Sequence, residues 1–239
     1  CRACLKSGDI GFAESYIKGL CDSPDLLALL RLLLANRQEI ETIIYGNWWG
    51  RLGYRIKHWF NKNTKAGSKK NIHAHYDIGN AFYALWLDPS MTYSSACFNS
   101  KDTPLVEAQI AKYQKIIQSL SVTPGEKILE VGCGWGGLME QACLNGINID
   151  CLTISEEQAK YARERGERIQ AKDLGQHQIL LQDYRDHQEQ YDGIASIEMF
   201  EAVGENHWEQ YFNTIAASLK PSGKACIQTI VIAEELFER

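Results

Sequence analysis

One stretch of this chain constrains its fold more than any other: Glu130-Val131-Gly132-Cys133-Gly134-Trp135-Gly136-Gly137. A short apolar run, Ile128-Leu129-Glu130-Val131, leads into it, and a helical pattern runs on to about Leu144. Glycine lets a backbone turn sharply and lets a ligand approach the main chain closely. A loop at the carboxyl end of a strand is where doubly wound sheets bind their ligands. Gly132, Gly134 and Gly137 also satisfy G-x-G-x-x-G, a pattern that suits a dinucleotide equally well. A tight turn with no ligand is a poor account of so many glycines placed between a strand and a helix. The next predicted strand, 147–154, ends Leu152-Thr153-Ile154-Ser155 with no acid at its tip to hold a ribose. Asp150 precedes three further strand-like residues, so the pattern points away from a nicotinamide dinucleotide.

The residues around this loop alternate between two periods. Strands are predicted at 128–131, 147–154, 178–181, 191–197 and 224–232, and helices at 104–120, after 137, from 155 and at 208–219. Ser155-Glu156-Glu157-Gln158 is a helix-capping run, and Pro221-Ser222-Gly223 closes the last helix. Strand–helix alternation at this spacing predicts an α/β fold with a mostly parallel sheet and helices on both faces. The first forty residues read as helical, with Ser23-Pro24-Asp25 opening a leucine-rich helix that is apolar on more than one face and is expected to pack against a partner. Residues 1–66 are therefore read as a helical N-terminal extension and 67–239 as the ligand-binding domain.

With 45% hydrophobic and 23% charged residues, the 239-residue chain has the composition of a globular protein. A net charge of −5 argues against a generic nucleic-acid binder. The eight scattered cysteines contain one C-x-x-C pair, Cys1 and Cys4, without a second pair or nearby histidines, so no metal site is expected and a reducing compartment is. No run approaches the ~20 apolar residues of a membrane span. Between Glu41 and Asp77 there is no acid, but there are Arg51, Arg55, Lys57, Lys62, Lys65, Lys69 and Lys70, interleaved with Trp48, Trp49, Tyr54, Trp59 and Phe60. Basic plus aromatic is the composition of a segment lying on an anionic membrane surface. A solvated linker helix with its tryptophans packed on the main domain has the same composition.

The acid two residues before the first glycine, E-x-G-x-G-x-G, resembles the loop of the class I methyltransferases, which are Rossmann-like and bind S-adenosylmethionine. Longer segments sharpen the likeness. His75-Tyr76-Asp77-Ile78-Gly79-Asn80, Phe82-Tyr83, Trp86 to Ser94, Leu129 to Gly137, Leu152 to Gln158 and Met199-Phe200-Glu201 with Gly204 resemble the cyclopropane-fatty-acyl-phospholipid synthase family, which includes the mycolic acid cyclopropane synthases. The likeness runs from about Asn71 to Ile232. It implies transfer of a methyl or methylene group from S-adenosylmethionine to the cis double bond of an unsaturated phospholipid acyl chain. It also implies a cytoplasmic protein working peripherally at the inner face of the membrane, with a homodimer left open. By motif, the cofactor falls to Tyr93, Ser94, Glu130, Gly132, Gly134, Trp135, Gly136, Thr153, Ile154, Gln158, Asp183, Tyr184 and Arg185. Glu201 falls beside the reacting centre, and His75, Tyr76 and Asp77 either close the pocket or cap a helix.

The departures are as informative as the matches. Ring-closing members usually carry Cys at the position of Ser95 and His at that of Gln228, and with the Glu these hold a bicarbonate ion acting as base. Ser95 and Gln228 still donate hydrogen bonds to an anion, so they are retained with Glu201 as candidate catalytic residues, but neither titrates near neutral pH. Ring closure against a methyl-branched or methylene product stays open. The chain also stops soon after the fifth strand, before the antiparallel edge strands class I methyltransferases normally add, and reads as C-terminally truncated. Two other readings stand beside the lipid enzyme: a methyltransferase for a small soluble acceptor, and a catalytically weak lipid-binding homologue.

Overall fold

The computed structural model describes residues 2–37, 39–40, 79–169 and 174–234. The chain divides into two compact units, Cys1–Lys62 with Ala233–Arg239, and Asn63–Ile232. The division falls slightly ahead of the expected 66/67 boundary. The basic–aromatic segment and His75, Tyr76 and Asp77 lie outside the described residues.

The first unit contributes α1 (Arg2–Ile17) and α2 (Leu26–Ala35). The Asp25 carboxylate caps α2 by accepting from the Ala28 amide at 2.8 Å, which satisfies one of the orphan donors of the first turn. None of the residues of α2 is buried. Leu26, Leu29 and Leu33, on one face of the helix, are half-buried, the stripe a neighbour covers on a helix apolar on several faces. No helix among the described residues is long and apolar enough to cross a membrane.

The second unit carries the short helix α3 (Asn80–Tyr83), α4 (Leu105–Leu120), β1 (Lys127–Val131), α5 (Gly137–Leu144), β2 (Asn148–Thr153), α6 (Glu156–Glu167), β3 (His177–Leu181), β4 (Tyr191–Ile197), α7 (Trp208–Ala217) and β5 (Leu219–Gln228). The strands form one sheet in the order β3-β2-β1-β4-β5, and every adjacent pair is parallel. The chain winds outward through β3, then crosses back to β4 beside β1. That reversal opens a crevice at the carboxyl ends of β1 and β4.

Burial follows the strand period. Ile128, Ile149, Cys151, Ile179 and Ala195 share one core with Tyr113, Ile116 and Leu120 of α4, Leu138 and Ala142 of α5 and Ala159 and Ala162 of α6. Leu129, Val131, Leu152, Tyr191 and Ile194 point the other way, into a core with Tyr211 and Ile215 of α7. The sheet is therefore covered on both faces, as the alternation of strands and helices predicts.

The fifth strand differs from its expected span. It starts at Leu219 and ends at Gln228, and Pro221-Ser222-Gly223 lies inside it instead of closing the helix. Proline has no amide to give to the ladder, Ser222 takes a φ of 71°, and the register against β4 shifts between Tyr191 and Gly193. This is the local disruption a bulge produces. Asp150 is also explained. It sits in the middle of β2, buried, where it accepts from the Tyr191 hydroxyl at 2.7 Å and pairs with Lys127 at 2.6 Å, so it is spent on holding β1, β2 and β4 together.

Candidate functional site

The glycine loop is tied down where β1 ends. The amides of Gly132 and Cys133 both donate to the Leu152 carbonyl of β2, at 3.0 and 2.9 Å. Gly132, Gly134 and Gly136 all have positive φ, of 83°, 50° and 80°, which side-chain-bearing residues adopt only at a cost. At Gly134 a Cβ would meet no protein atom within 4 Å, so that position opens on empty space. At Gly137 a Cβ would collide with the Tyr113 hydroxyl, so there glycine is required by helix packing.

The loop forms one wall of a cavity of about 410 Å³ in the switch-point crevice. Of the residues the resemblance assigns to the cofactor, Tyr93, Ser94, Glu130, Gly132, Gly134, Trp135, Thr153, Ile154, Gln158, Asp183, Tyr184 and Arg185 line it. Gly136 does not; it occupies the N-cap of α5 in the left-handed conformation. Behind β2, Thr153 donates its hydroxyl proton to Gln158 Oε1 at 3.0 Å, which fixes the Gln158 side chain at the start of α6. Beyond β3, Arg185 folds back on Asp183 through Nε at 2.8 Å and a terminal nitrogen at 2.6 Å.

Tyr93 and Trp135 bring aromatic rings to the lining, and Tyr83 and Trp86, outside it, back them. Tyr83 packs against Trp135 with ring centroids 4.9 Å apart and against Tyr93 at 5.7 Å, and Trp86 meets Tyr93 edge-on at 5.3 Å. The Trp135 indole donates to Asn80 at 2.7 Å, which ties α3 to the glycine loop. Ring faces of this kind attract a cation.

Two ionisable groups behind the loop are held far from their ordinary states. Burial pushes the Glu130 carboxyl up to about 8, against the pull of the Cys151 thiol and of the Lys112 and Arg165 charges. Burial also pushes Lys112 down to about 8, although the Glu198 and Glu130 carboxyls draw it the other way. Among the described residues the buried Lys112 ammonium finds no hydrogen-bond partner, and it lies 4.7 Å over the Tyr113 ring.

The three candidate catalytic residues separate. Ser95 and Gln228 meet: the Gln228 side-chain amide donates to Ser95 Oγ at 3.0 Å and to Ser94 Oγ at 3.2 Å. Neither belongs to the cavity lining. Glu201 is exposed on the 3-10 turn Phe200–Ala202 and accepts the Ile230 amide, which places it outside the lining as well. The carboxylate that does line the cavity is Glu198. It accepts from the Ser95 amide at 3.0 Å, the Ser95 hydroxyl at 2.8 Å and the Gln228 amide at 2.8 Å. Burial pushes its carboxyl up, but these hydrogen bonds outweigh that and leave it below its ordinary value. Its φ of 48° is unusual for a residue with a side chain. The resemblance points to the second acid of Glu198-Met199-Phe200-Glu201, and the cavity takes the first. The signal for the first was its place directly after β4, at the switch point. Thr92, Gln182 and His207 also line the cavity unforeseen.

Four likenesses stand beside this geometry. The sequence profile of the family described as mycolic acid cyclopropane synthetase matches residues 63–237. The chain is 34% identical to the tuberculostearic acid methyltransferase UfaA1 of Mycobacterium tuberculosis, over 95% of this chain and 54% of that one. It is 36% identical to the cyclopropane-fatty-acyl-phospholipid synthase of Escherichia coli K12, over 95% of this chain and 57% of that one. It thus spans little more than half the length of these relatives. Among solved structures, the mycolic acid cyclopropane synthase CmaA1 complexed with SAH and CTAB aligns with a TM-score of 0.60 at 35% identity, covering 64% of this chain and 53% of that one.

Proposed function

This chain belongs to the mycolic acid cyclopropane synthetase family, and from that premise we propose that it transfers one carbon from S-adenosylmethionine to the cis double bond of an unsaturated phospholipid acyl chain. The observation that carries the reading is one cavity joining a glycine loop, aromatic rings and a hydrogen-bonded carboxylate.

The residues fit the cofactor. Gly134 leaves space where any side chain would intrude. Glu130, Thr153 and Gln158 supply polar atoms along the loop and the end of β2, and Asp183, Tyr184 and Arg185 close the far side. When bound, S-adenosylmethionine supplies a methyl group made electrophilic by its sulfonium. Tyr93 and Trp135 present ring faces to that positive charge. Glu130, neutral in the free protein, gains a reason to ionise once a cation sits before it. Buried lining residues such as Val131, Leu152 and Val203 would shield a cation formed on the acyl chain from water until it loses a proton.

The lipid side of the proposal rests on Tyr93, which belongs both to the cavity and to a patch exposing Phe82, Leu85 and Trp86. It rests also on the basic and aromatic residues between 48 and 70, which suit an anionic membrane surface at the inner face of a cytoplasmic membrane. Transfer of isotope-labelled methyl from S-adenosylmethionine to vesicles of monounsaturated phospholipid is the direct test. Label in the acyl chains supports the reading. Label only in water-soluble products, or S-adenosylhomocysteine binding without transfer, refutes it.

A further inference from the structure

The position where an external anion would be gripped by Ser95 and Gln228 is filled by a carboxylate of the chain itself. Ser95 gives Glu198 Oε1 both its amide and its hydroxyl, and Gln228 gives its side-chain amide to the same oxygen. These are the donors that would have to receive a bicarbonate ion, and they are occupied. We propose that Glu198 is the proton acceptor of the reaction and that this chain needs no externally supplied anion. The inference rests on the proposed transfer to a lipid double bond.

The chemistry asks little of the base except place and charge. The π pair of the double bond forms a new carbon–carbon bond to the incoming methyl while the carbon–sulfur bond breaks, its electrons staying on sulfur. One former alkene carbon is left positive. Glu198 then takes a proton from the added methyl. The C–H electron pair closes a cyclopropane ring, or, after a hydride shift has moved the positive charge onto the methyl-bearing carbon, forms the double bond of a methylene branch. No oxidant or reductant enters. A proton next to a carbocation is so acidic that an ordinary carboxylate suffices, provided it is ionised. The three hydrogen bonds keep it so. A fixed negative charge there also stabilises the cation before the proton leaves.

The backbone supports the assignment. Glu198 sits at the exit of β4 with φ 48°, and its amide donates to the Gln228 carbonyl at 2.8 Å. Strained residues with side chains concentrate at sites where a side chain must be aimed. The neutral Ser95 and Gln228 suit this role, because they orient a carboxylate without competing for its proton.

The experiment uses the full chain, labelled S-adenosylmethionine and vesicles of monounsaturated phosphatidylglycerol, in buffer stripped of carbon dioxide. The wild type is expected to hold its rate within about twofold when bicarbonate is removed or restored. Glu198→Gln is expected to lose about a hundredfold or more, the usual worth of a general base, while binding S-adenosylhomocysteine as the wild type does. Glu198→Gly removes the carboxylate and relieves the positive φ. It is expected to be inactive in stripped buffer and to recover at least tenfold with formate or bicarbonate. Its crystals soaked in bicarbonate should show the anion on Ser95 and Gln228, where wild-type crystals show Glu198. A wild type whose rate collapses without bicarbonate overturns the proposal, even if the variants fail to fold. So does a Glu198→Gln enzyme of undiminished rate. A wild type that labels no lipid in either buffer refutes the reaction itself, and the inference with it. That failure is distinguishable because it does not depend on bicarbonate or on residue 198.

Discussion

Gly134→Ala separates binding from folding at the centre of the site. Its φ of 50° is left-handed, so any side chain there costs about 1–2 kcal/mol. A Cβ meets no protein atom within 4 Å, so no packing penalty is added. For a chain of this size the loss lowers Tm by about 2–8 °C. Gly125→Ala is the matched control: φ is 92°, a Cβ again meets nothing within 4 Å, and the residue lies in the turn before β1, outside the cavity lining. Both variants should melt earlier by similar amounts. Only Gly134→Ala should lose cofactor affinity. Forcing one methyl into a filled site costs about 1–3 kcal/mol, which is about fivefold to 150-fold in Kd, and valine at 134 should be worse. Differential scanning calorimetry gives the first quantity and calorimetric titration with S-adenosylhomocysteine the second. If Gly134→Ala binds as tightly as Gly125→Ala, the open space above the loop is not where the ligand lies.

Three further outcomes are expected. Glu130 keeps its proton in the folded chain up to about 8, but the unfolded chain releases it near the ordinary 4.5. Its contribution to stability is therefore full below 4.5 and lost as pH rises through 8; urea unfolding at pH 5.5 and 8.5 should show a larger loss for wild type than for Glu130→Gln, and parallel losses would refute this. Lys112 is depressed to about 8 and among the described residues its ammonium has no hydrogen-bond partner, only the Tyr113 ring face, so Lys112→Met should stabilise the fold at pH 7 by about 1 kcal/mol or more; a lower Tm would show that the ring and nearby carboxylates satisfy the amine. Reversing the charges of Arg51, Arg55 and Lys57 should weaken sedimentation with anionic vesicles, most at low salt; sedimentation equal to wild type would reduce that segment to a packing element.

The sheet and its loop were legible because two strong local signals coincide in them. Runs such as Ile128–Val131 and Tyr191–Ile197 are short, apolar and bounded by turn residues, and the glycines of 132–137 leave the backbone few alternatives. Ser155 was equally readable: its hydroxyl accepts the Gln158 amide at 3.3 Å, as a cap should. The start of β5 was not legible, because Pro221-Ser222-Gly223 has the same local chemistry whether it stops a helix or makes an irregular strand. Only pairing with Tyr191 and Gly193 decides between the two.

The resemblance groups Ser95, Gln228 and Glu201 together, and the fold sets Glu201 apart from the other two for a related reason. Ser95 and Gln228 looked like losses, each taken alone, because each replaces a group able to titrate. In the fold they lie on one carboxylate, with Ser95 reaching it from the loop after α3 and Gln228 from the end of β5, 133 residues apart in sequence. A pair of neutral donors that would be a defect around an empty anion site is a matched cradle around Glu198, since a fixed base has no need of partners that ionise. The three residues then form one physical unit: placing a cysteine at 95 or a histidine at 228 without removing Glu198 would set a second titratable group against an anion already in place. Such single substitutions should lower activity, not raise it, and only Glu198→Gly combined with both should recover a site that depends on added bicarbonate.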